Sequence, residues 1–378
     1  MRNYLTRLSV LVAILVLATA SAQAEIGVTD TEILIGMSNA QSGPAAGLGI
    51  GLKAGANAYI DKVNATGGVH GRKLRLISVD DGYDPARCAA MTKKLVEEDK
   101  VFALFGYVGT PTSTAAVPIA VRAETPYLFP FTGAEFLRNP PNKWVFNLRA
   151  SYFDETEAMV ERLTKDLGFN KIAVFIQDDA FGEAGKAGVN RALRNRNLQL
   201  AAEARFKRNT AEVEEGITKL KAAAPEAVVV VGPYYSVAAV VKKSKAAGFS
   251  PKFLTVSFVG TANLIREVGA DGDGIVVTQV LPSPEDSSLA IIQQYQSDLK
   301  IGGDYTSLEG YIDAAVLVEA LKKAGRNLSR PTFLSALESL EVDLGGLRVA
   351  FSAAKHQGFS QIWPTQLKGG KVIAANKF

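Results

Sequence analysis

The sequence predicts an α/β protein of two lobes, each built around a parallel β-sheet. The chain has 378 residues, enough for two domains, and 47% of them are apolar, so each domain can bury a core. Strand-like and helix-like segments alternate almost without interruption. Repeated βα units of this length imply parallel strands with right-handed crossovers, and they are too many for one compact sheet.

The predicted elements form two series and a tail, in chain order. The first series has strands at 32–37, 73–80, 101–105 and 127–130, with helices at 45–65 and 85–99 and a third starting at Thr110. The second has strands at 171–176, 198–206, 227–232 and 252–257, with helices at 155–167, 182–195, 213–223 and 236–247. The tail adds a strand at 275–279, helices at 288–300, 307–324 and 331–340, and short strands near 347–351 and 365–367.

Two segments are candidate crossings between the lobes. The first, 144–149, follows Pro140-Pro141-Asn142, and the second is the LPSP segment 281–284. We expect one lobe to comprise 25–147 and 281–360, and the other 148–280 and 361–378. The cleft between them would lie at the carboxyl ends of the strands, where open α/β sheets bind ligands.

Residues 1–24 have the pattern of a secretory signal peptide. Arg2 and Arg7 precede an eleven-residue apolar run at 8–18, and Ala22-Gln23-Ala24 fits the cleavage pattern. The alternative is a buried N-terminal helix. We do not expect a membrane-spanning helix, because the apolar run is too short to cross a bilayer. We therefore expect export, to the periplasm in a Gram-negative cell.

The composition argues against most enzymes and against nucleic-acid binding. The formal charge is only +4, no Lys/Arg run exceeds two residues, and the chain has one cysteine and two histidines. We expect no metal, no cofactor and no catalytic residue. The GxGxxA match at 49–54 is either a dinucleotide fingerprint or small residues in a tightly packed helix. The acidic stretch Asp80-Asp81 with Asp84 is either a carboxylate site or a turn with a helix cap.

The segment 106–114 points to binding of an anion. It follows a buried strand and opens a helix in which Thr110 can cap and Pro111 takes the first turn. Free N–H groups and hydroxyls at such a start favour a carboxylate, although an ordinary cap explains the same residues. Phe131-Thr132-Gly133 forms a comparable strand end, and Phe181, Tyr234 and Tyr235 follow later strand ends as candidate pocket walls.

Four motifs together resemble the leucine/isoleucine/valine-binding proteins, which are type I periplasmic solute receptors of ABC importers. The motifs are Ser42-Gly43-Pro44, the GGVHGRKL segment at 67–74, the DDGYDP segment at 80–85 and the FGEA segment at 181–184. The similarity extends in order over essentially the whole chain after residue 24. It implies two Rossmann-like lobes joined by a three-strand hinge that closes on a ligand.

The resemblance also implies positions for the ligand contacts. Thr110 would bind the ligand carboxylate, and Phe131 and Gly133, next to Thr132, would give main-chain contacts, although the family's hydroxyl at Gly133 is missing. The remaining predicted contacts are Leu48 in the side-chain pocket, Phe181 and Tyr234 from the second lobe, and Ser257 (or Phe258) at the ammonium position. The family places a carboxylate at that last position, so the ligand class stays open between an amino acid, an aromatic or aliphatic acid, and an amide.

These observations predict a monomeric periplasmic binding protein that captures a small carboxylate and delivers it to ABC permease subunits in the inner membrane. The alternative function for the same fold is that of an exported sensory module, which presents its ligand to a membrane-bound kinase or chemoreceptor. The neighbouring genes would distinguish an importer component from a sensor.

Overall fold

The first sheet has five parallel strands. The structure, a computed structural model, describes residues 25–299 and 302–375. The strands are β1 (Glu32–Asn39), β2 (Lys73–Asp80), β3 (Ala103–Phe105), β4 (Tyr127–Leu128) and β5 (Val145–Phe146), in the order β2-β1-β3-β4-β5. The helices between them are α1 (Ala46–Ala65), α2 (Pro85–Lys93), which continues through a π-helical turn at Lys94–Glu98, and α3 (Thr110–Arg122).

The second sheet repeats this strand order and adds an antiparallel pair. Its helices are α4 (Tyr152–Asp166), α5 (Ala180–Arg194), α6 (Glu214–Ala223), α7 (Tyr234–Ala246) and α8 (Thr261–Val268). Its strands are β6 (Ile172–Gln177), β7 (Glu203–Phe206), β8 (Ala227–Val231), β9 (Lys252–Thr255) and β10 (Val276–Gln279). The tail contains α9 (Ala290–Asp298), α10 (Tyr305–Ala324), α11 (Arg330–Glu338), β11 (Glu341–Asp343), β12 (Arg348–Ala350), β13 (Trp363–Lys368) and β14 (Lys371–Ala374). The sheet order is β14-β13-β10-β9-β8-β6-β7, and β11 and β12 form a separate ribbon.

The predicted fold class is therefore confirmed, with one addition to its sheets. β6 to β10 are parallel, whereas β13 pairs antiparallel with both β10 and β14. The chain passes between the lobes three times: after β5, after β10 and before β13. In each sheet the strand order reverses at one point, which lies between β1 and β3 in the first sheet and between β6 and β8 in the second. Open α/β sheets bind ligands at such switch points.

Local sequence explains the strongest elements. β8 reads AVVVV and all five residues are buried, as expected of a parallel strand covered on both faces. α4 starts with a capping box in which the Ser151 hydroxyl accepts from the Asp154 N–H and the Asp154 carboxylate accepts from the Ser151 N–H. Among the described residues, no helix is both long enough and apolar enough to cross a membrane.

The glycines of the GxGxxA segment lie in tight helix packing. α1 packs against α10, and an added Cβ at Gly51 would lie 3.2 Å from Cγ2 of Thr306 at the start of α10. The backbone of Ala40 leaves no room for a side chain at Gly49. These contacts match the packing interpretation of the segment.

Candidate functional site

The start of α3 lies at the carboxyl end of β3. Gly109, immediately before the helix, has φ 105°, a conformation that favours glycine. The hydroxyls of Thr112 and Ser113 turn back and donate to the Gly109 carbonyl at 2.9 and 2.7 Å. These two hydroxyls therefore satisfy the first turn of the helix and are not available to an anion. The hydroxyl of Thr110 instead contacts the hydroxyl of Thr132.

Thr110 belongs to a chain of three hydroxyls that reaches the second lobe. Its Oγ1 lies 2.7 Å from Thr132 Oγ1, which donates to the Tyr152 hydroxyl at 3.2 Å. All three residues are buried. Tyr152 also fills the space beside Gly133, where an added Cβ would lie 2.6 Å from Tyr152 Cδ1. A larger side chain at position 133 would overlap Tyr152, and the hydroxyls beside Gly133 are those of Thr132 and Tyr152.

An aromatic cluster fills the centre of the cleft. Phe258, in the turn after β9, lies 4.5 Å from Phe181, 5.5 Å from Phe131 and 5.9 Å from Tyr83, measured between ring centroids. The Tyr152 ring lies 5.5 Å from that of Phe181. Phe131 and Tyr83 belong to the first lobe and the other three to the second, so the lobes share one continuous apolar contact.

Direct contacts join the rims of the two lobes. The Gly47 N–H donates to the Tyr234 hydroxyl at 3.2 Å, and Gln177 Nε2 donates to the Tyr83 hydroxyl at 3.2 Å. Leu48 reaches Gly260 of the second lobe so closely that an added Cβ at Gly260 would overlap it. The lobes are therefore closed on each other in this structure.

Ser257 is held by a buried carboxylate that the sequence analysis missed. The Ser257 N–H donates to Glu155 Oε2 at 2.7 Å and its hydroxyl donates to Oε1 at 3.0 Å, while Thr278 Oγ1 donates to Oε2 at 2.5 Å. Burial raises the pKa of Glu155, although Arg149 and these hydrogen bonds oppose the shift. Glu155 therefore places a carboxyl group beside Ser257, whose own side chain carries no charge. The carboxylate comes from α4, where the sequence marked Glu155 only as the start of a helix.

A small cavity of about 10 Å³ opens beside Phe131 and Ser257. It is lined by Phe131, Arg149, Ser257, Gln279, Val280, Leu281, Tyr305, Thr306 and Glu309. All eight predicted ligand contacts are buried, but only Phe131 and Ser257 line this cavity. Sequence reasoning missed Arg149 and Glu309. One signal was available for each: Arg149 ends the predicted crossing, and Glu309 interrupts an apolar helix.

The acidic segment at 80–84 has a structural role. Asp84 caps α2 by accepting from the Arg87 N–H at 2.8 Å, and Asp80 accepts from the Gln41 N–H at 2.8 Å and the Gly82 N–H at 2.9 Å. Asp81 accepts from Ser38 Oγ at 2.8 Å. No group of side chains suited to hold a metal ion occurs in the part of the chain that the structure describes.

Comparison with known proteins decides the family. The sequence profile of the periplasmic binding proteins matches residues 32–371. The chain belongs to the periplasmic binding protein family. Its relatives place it with the Leu/Ile/Val-binding proteins of the type I fold. A possible leucine/isoleucine/valine-binding protein from Rhodopirellula baltica SH 1 has a structure similar to this one, with TM-score 0.87 and 36% identity over 93% of this chain and 98% of that one.

Other relatives cover most of this periplasmic binding protein at lower identity. The Leu/Ile/Val-binding protein homolog 7 of Brucella suis biovar 1 is 24% identical over 366 residues, 90% of each chain. The leucine-, isoleucine-, valine-, threonine- and alanine-binding protein of Pseudomonas aeruginosa is 23% identical over 296 residues, 78% of this chain and 79% of that one. Members of this family bind ligands rather than transform them.

Proposed function

We propose that this periplasmic binding protein captures a small polar molecule in the cleft between its lobes and delivers it to an ABC importer in the inner membrane. The ligand is an amino acid, another small carboxylate or an amide. The observation that carries the proposal is the buried, aromatic-lined cleft, which both lobes close through Gly47 and Tyr234. The protein acts as a monomer and has no catalytic role.

The contacts we assign to the ligand come from both lobes. Thr110, with the neighbouring N–H groups, binds the ligand carboxylate, because a helix start and a hydroxyl both stabilise an anion. Phe131, Thr132 and Gly133 form the adjoining wall. The remaining assigned contacts are Leu48 from the first lobe and Phe181, Tyr234 and Ser257 from the second. The lobes we assign comprise 25–147 with 281–360 and 148–280 with 361–378.

Binding works by a population shift between open and closed forms. A ligand that touches both lobes binds the closed form more tightly than the open one, so its binding raises the closed population. The contacts that join the lobes, including the Gln177–Tyr83 hydrogen bond, stabilise the closed form by small amounts. The permease then distinguishes loaded from empty protein by the closed arrangement.

A thermal-shift screen on protein purified from the periplasmic fraction tests the proposal. The panel contains amino acids, aromatic acids, short-chain acids and amides. A ligand at a hundred times its dissociation constant stabilises by about 2.7 kcal/mol, which moves the melting temperature by several degrees. A shift with one class identifies the ligand class, and no shift with any class contradicts the proposal.

Delivery to an importer needs its own measurement. Uptake of the identified, radiolabelled ligand is compared between cells that carry the gene and cells that lack it. Loss of uptake supports delivery to a permease. Unchanged uptake, together with a sensor gene beside this one, identifies the sensory role instead.

A further inference from the structure

Arg138, which follows β4 in the chain, is a buried arginine near the hinge between the lobes. Only 8% of its surface is exposed. Glu135 and Asp154 lie nearby, but within the described part of the chain neither forms an ion pair or a hydrogen bond with its guanidinium. Burial, together with Arg149, lowers the pKa of Arg138 to about 10. Burying a charge without a direct counter-charge costs free energy, so hydrogen bonds to neutral groups must offset that cost.

Arg138 holds the wall segment, residues 131–134, which includes three of the contacts that we assign to the ligand. Nη1 donates to the Ala134 carbonyl at 2.8 Å, and Nη2 donates to the Thr132 carbonyl at 3.2 Å. The hydroxyl of Thr132 is the one that contacts Thr110. The guanidinium therefore fixes the backbone of a segment that adjoins the proposed carboxylate site.

The same guanidinium contacts two of the three crossings between the lobes. Nη2 donates to the Arg149 carbonyl in the first crossing at 3.0 Å, and Nε donates to Gln357 Oε1 in the third crossing at 2.9 Å. The two crossings run side by side, because the Asn147 N–H donates to the His356 carbonyl at 2.8 Å. A planar group with several donors can hold such segments at fixed angles, whereas a single ammonium cannot.

Gln357 extends this connection into the second lobe. Its Nε2 donates to Asp154 Oδ2 at 3.0 Å, and the same oxygen accepts from the Ser151 N–H at 2.9 Å at the start of α4. A cavity of about 360 Å³ lies beside Arg138, Asp154 and Gln357, so these side chains have room to move when the hinge bends. The wall segment is therefore linked to the second lobe through the hinge as well as across the cleft.

We propose that Arg138 is a positioning residue, which couples the wall segment to the hinge through Gln357 and Asp154. In the closed form its guanidinium holds the wall segment where that segment contacts the ligand. Bending of the hinge moves the first and third crossings, and the wall segment moves with them. Closure of the lobes and assembly of the binding wall are thus one event. The inference rests on the proposed function, because its readout is the binding of a ligand in the cleft.

Arg138→Lys tests the coupling, and Arg330→Lys is its matched control. Both substitutions keep the positive charge and remove the planar set of donors. Arg330 is also buried, and its guanidinium donates to three backbone carbonyls, those of Val101, Phe102 and Ala123. These carbonyls lie at the edge of the first sheet opposite the carboxyl ends of its strands, and so away from the cleft.

The readout is the pair of binding rates, measured by surface plasmon resonance. The probe is the compound of the thermal-shift panel that gives the largest shift with the unmodified protein. Arg138→Lys is expected to raise the dissociation rate about tenfold, as for loss of one hydrogen bond to a charged group, because the closed form is weakened. The association rate should change little, since the probe first meets the open form. Arg330→Lys is expected to lower the melting temperature to a similar extent and to leave both rates unchanged.

Gln357→Glu tests the link to α4 without a substitution in the core. The new side chain has almost the same shape and still accepts from Arg138 Nε, but its ionised carboxylate cannot donate to Asp154. The dissociation rate is expected to rise about 2- to 12-fold. Gln293→Glu is the matched control, because Gln293 is exposed and its Nε2 donates to the Ser287 carbonyl on the surface of the first lobe. Circular dichroism reports whether each variant folds.

The outcomes separate this inference from ligand capture. If the unmodified protein binds a panel compound, and Arg138→Lys and Gln357→Glu release it at the unmodified rate, the inference is overturned and capture stands. Equal increases of the dissociation rate in Arg138→Lys and Arg330→Lys also overturn it, because the loss then follows from stability alone. If Arg138→Lys does not fold, the rate for Gln357→Glu decides. If no panel compound binds the unmodified protein, capture of these classes fails and the inference fails with it.

Discussion

The hydroxyl of Tyr234 accepts a hydrogen bond from the backbone N–H of Gly47 across the cleft, at 3.2 Å. Gly47 is at the start of α1 in the first lobe, and Tyr234 is the first residue of α7 in the second. The contact exists only when the lobes are closed. Removing the Tyr234 hydroxyl by substitution therefore tests how much this hydrogen bond stabilises the closed form.

Tyr234→Phe is expected to weaken ligand binding about 2- to 12-fold, since a net hydrogen bond contributes about 0.5–1.5 kcal/mol. The loss arises because the closed form loses a contact that the open form never had. Titration of the ligand found by the screen measures the effect. Tyr235→Phe is the matched control, because the Tyr235 hydroxyl contacts Asn209 within the second lobe. Equal affinities for Tyr234→Phe and the unmodified protein would contradict a role for this contact in closure.

Thr110→Val is expected to weaken ligand binding by roughly 1–3 kcal/mol, because the ligand carboxylate and Thr132 both lose a hydroxyl partner. Titration calorimetry with the same ligand measures the loss. Thr114→Val is the control, because the Thr114 hydroxyl donates to the Thr110 carbonyl within the same helix. If both variants bind like the unmodified protein, the carboxylate is not at Thr110.

Asp81 is expected to make the stability fall as pH rises. Burial raises the pKa of Asp81 to about 6 from an ordinary 3.8, against hydrogen bonds from Ser38 and Tyr83. The folded state then binds the proton more tightly than the unfolded state. The contribution is complete below about pH 3.8 and is lost as pH rises through about 6, a change of about 3 kcal/mol. Urea unfolding from about pH 4 to pH 7 should show a smaller fall in Asp81→Asn than in the unmodified protein.

Asp80 provides the control of opposite sign. Burial acts against its ionisation, but hydrogen bonds from Ser42, Gln41 and Gly82 outweigh it and lower the pKa to about 2. Its contribution is present above about pH 3.8 and is lost as pH falls through about 2, so Asp80→Asn leaves the change near pH 6 intact. The same pH dependence in Asp81→Asn as in the unmodified protein would exclude Asp81 as its source.

Gly109→Ala is expected to lower the free energy of unfolding by about 2–4 kcal/mol, since an added Cβ is strained at φ 105° and overlaps the Tyr83 ring. Urea unfolding measures the change. Gly168→Ala separates the two causes, because Gly168 has φ 68° and nothing within 4 Å of an added Cβ, so its cost is about 1 kcal/mol. Similar losses for both variants would show that the Tyr83 ring moves aside.

Most of the fold was predictable because its elements carry strong local signals. β8 is a continuous buried run of β-branched residues, and α3 begins with Pro in its first turn. α8 was missed, since it has only eight residues and its N-cap is Gly260, which has no side chain to give a capping signal. β5 was missed because two residues are too few to show a period. β14 is mostly exposed and forms by pairing with β13.

The sequence alone determined the family, the two-lobed α/β fold and the strand ends that face the cleft, because these depend on periodicity and motifs within short segments. The tertiary structure decided which charges meet there. Glu155 reaches Ser257 across 102 positions of the chain, and Arg149 reaches Glu309 across 160. No local pattern records such pairs. They form because a charge buried away from water must find a partner wherever the packed fold supplies one.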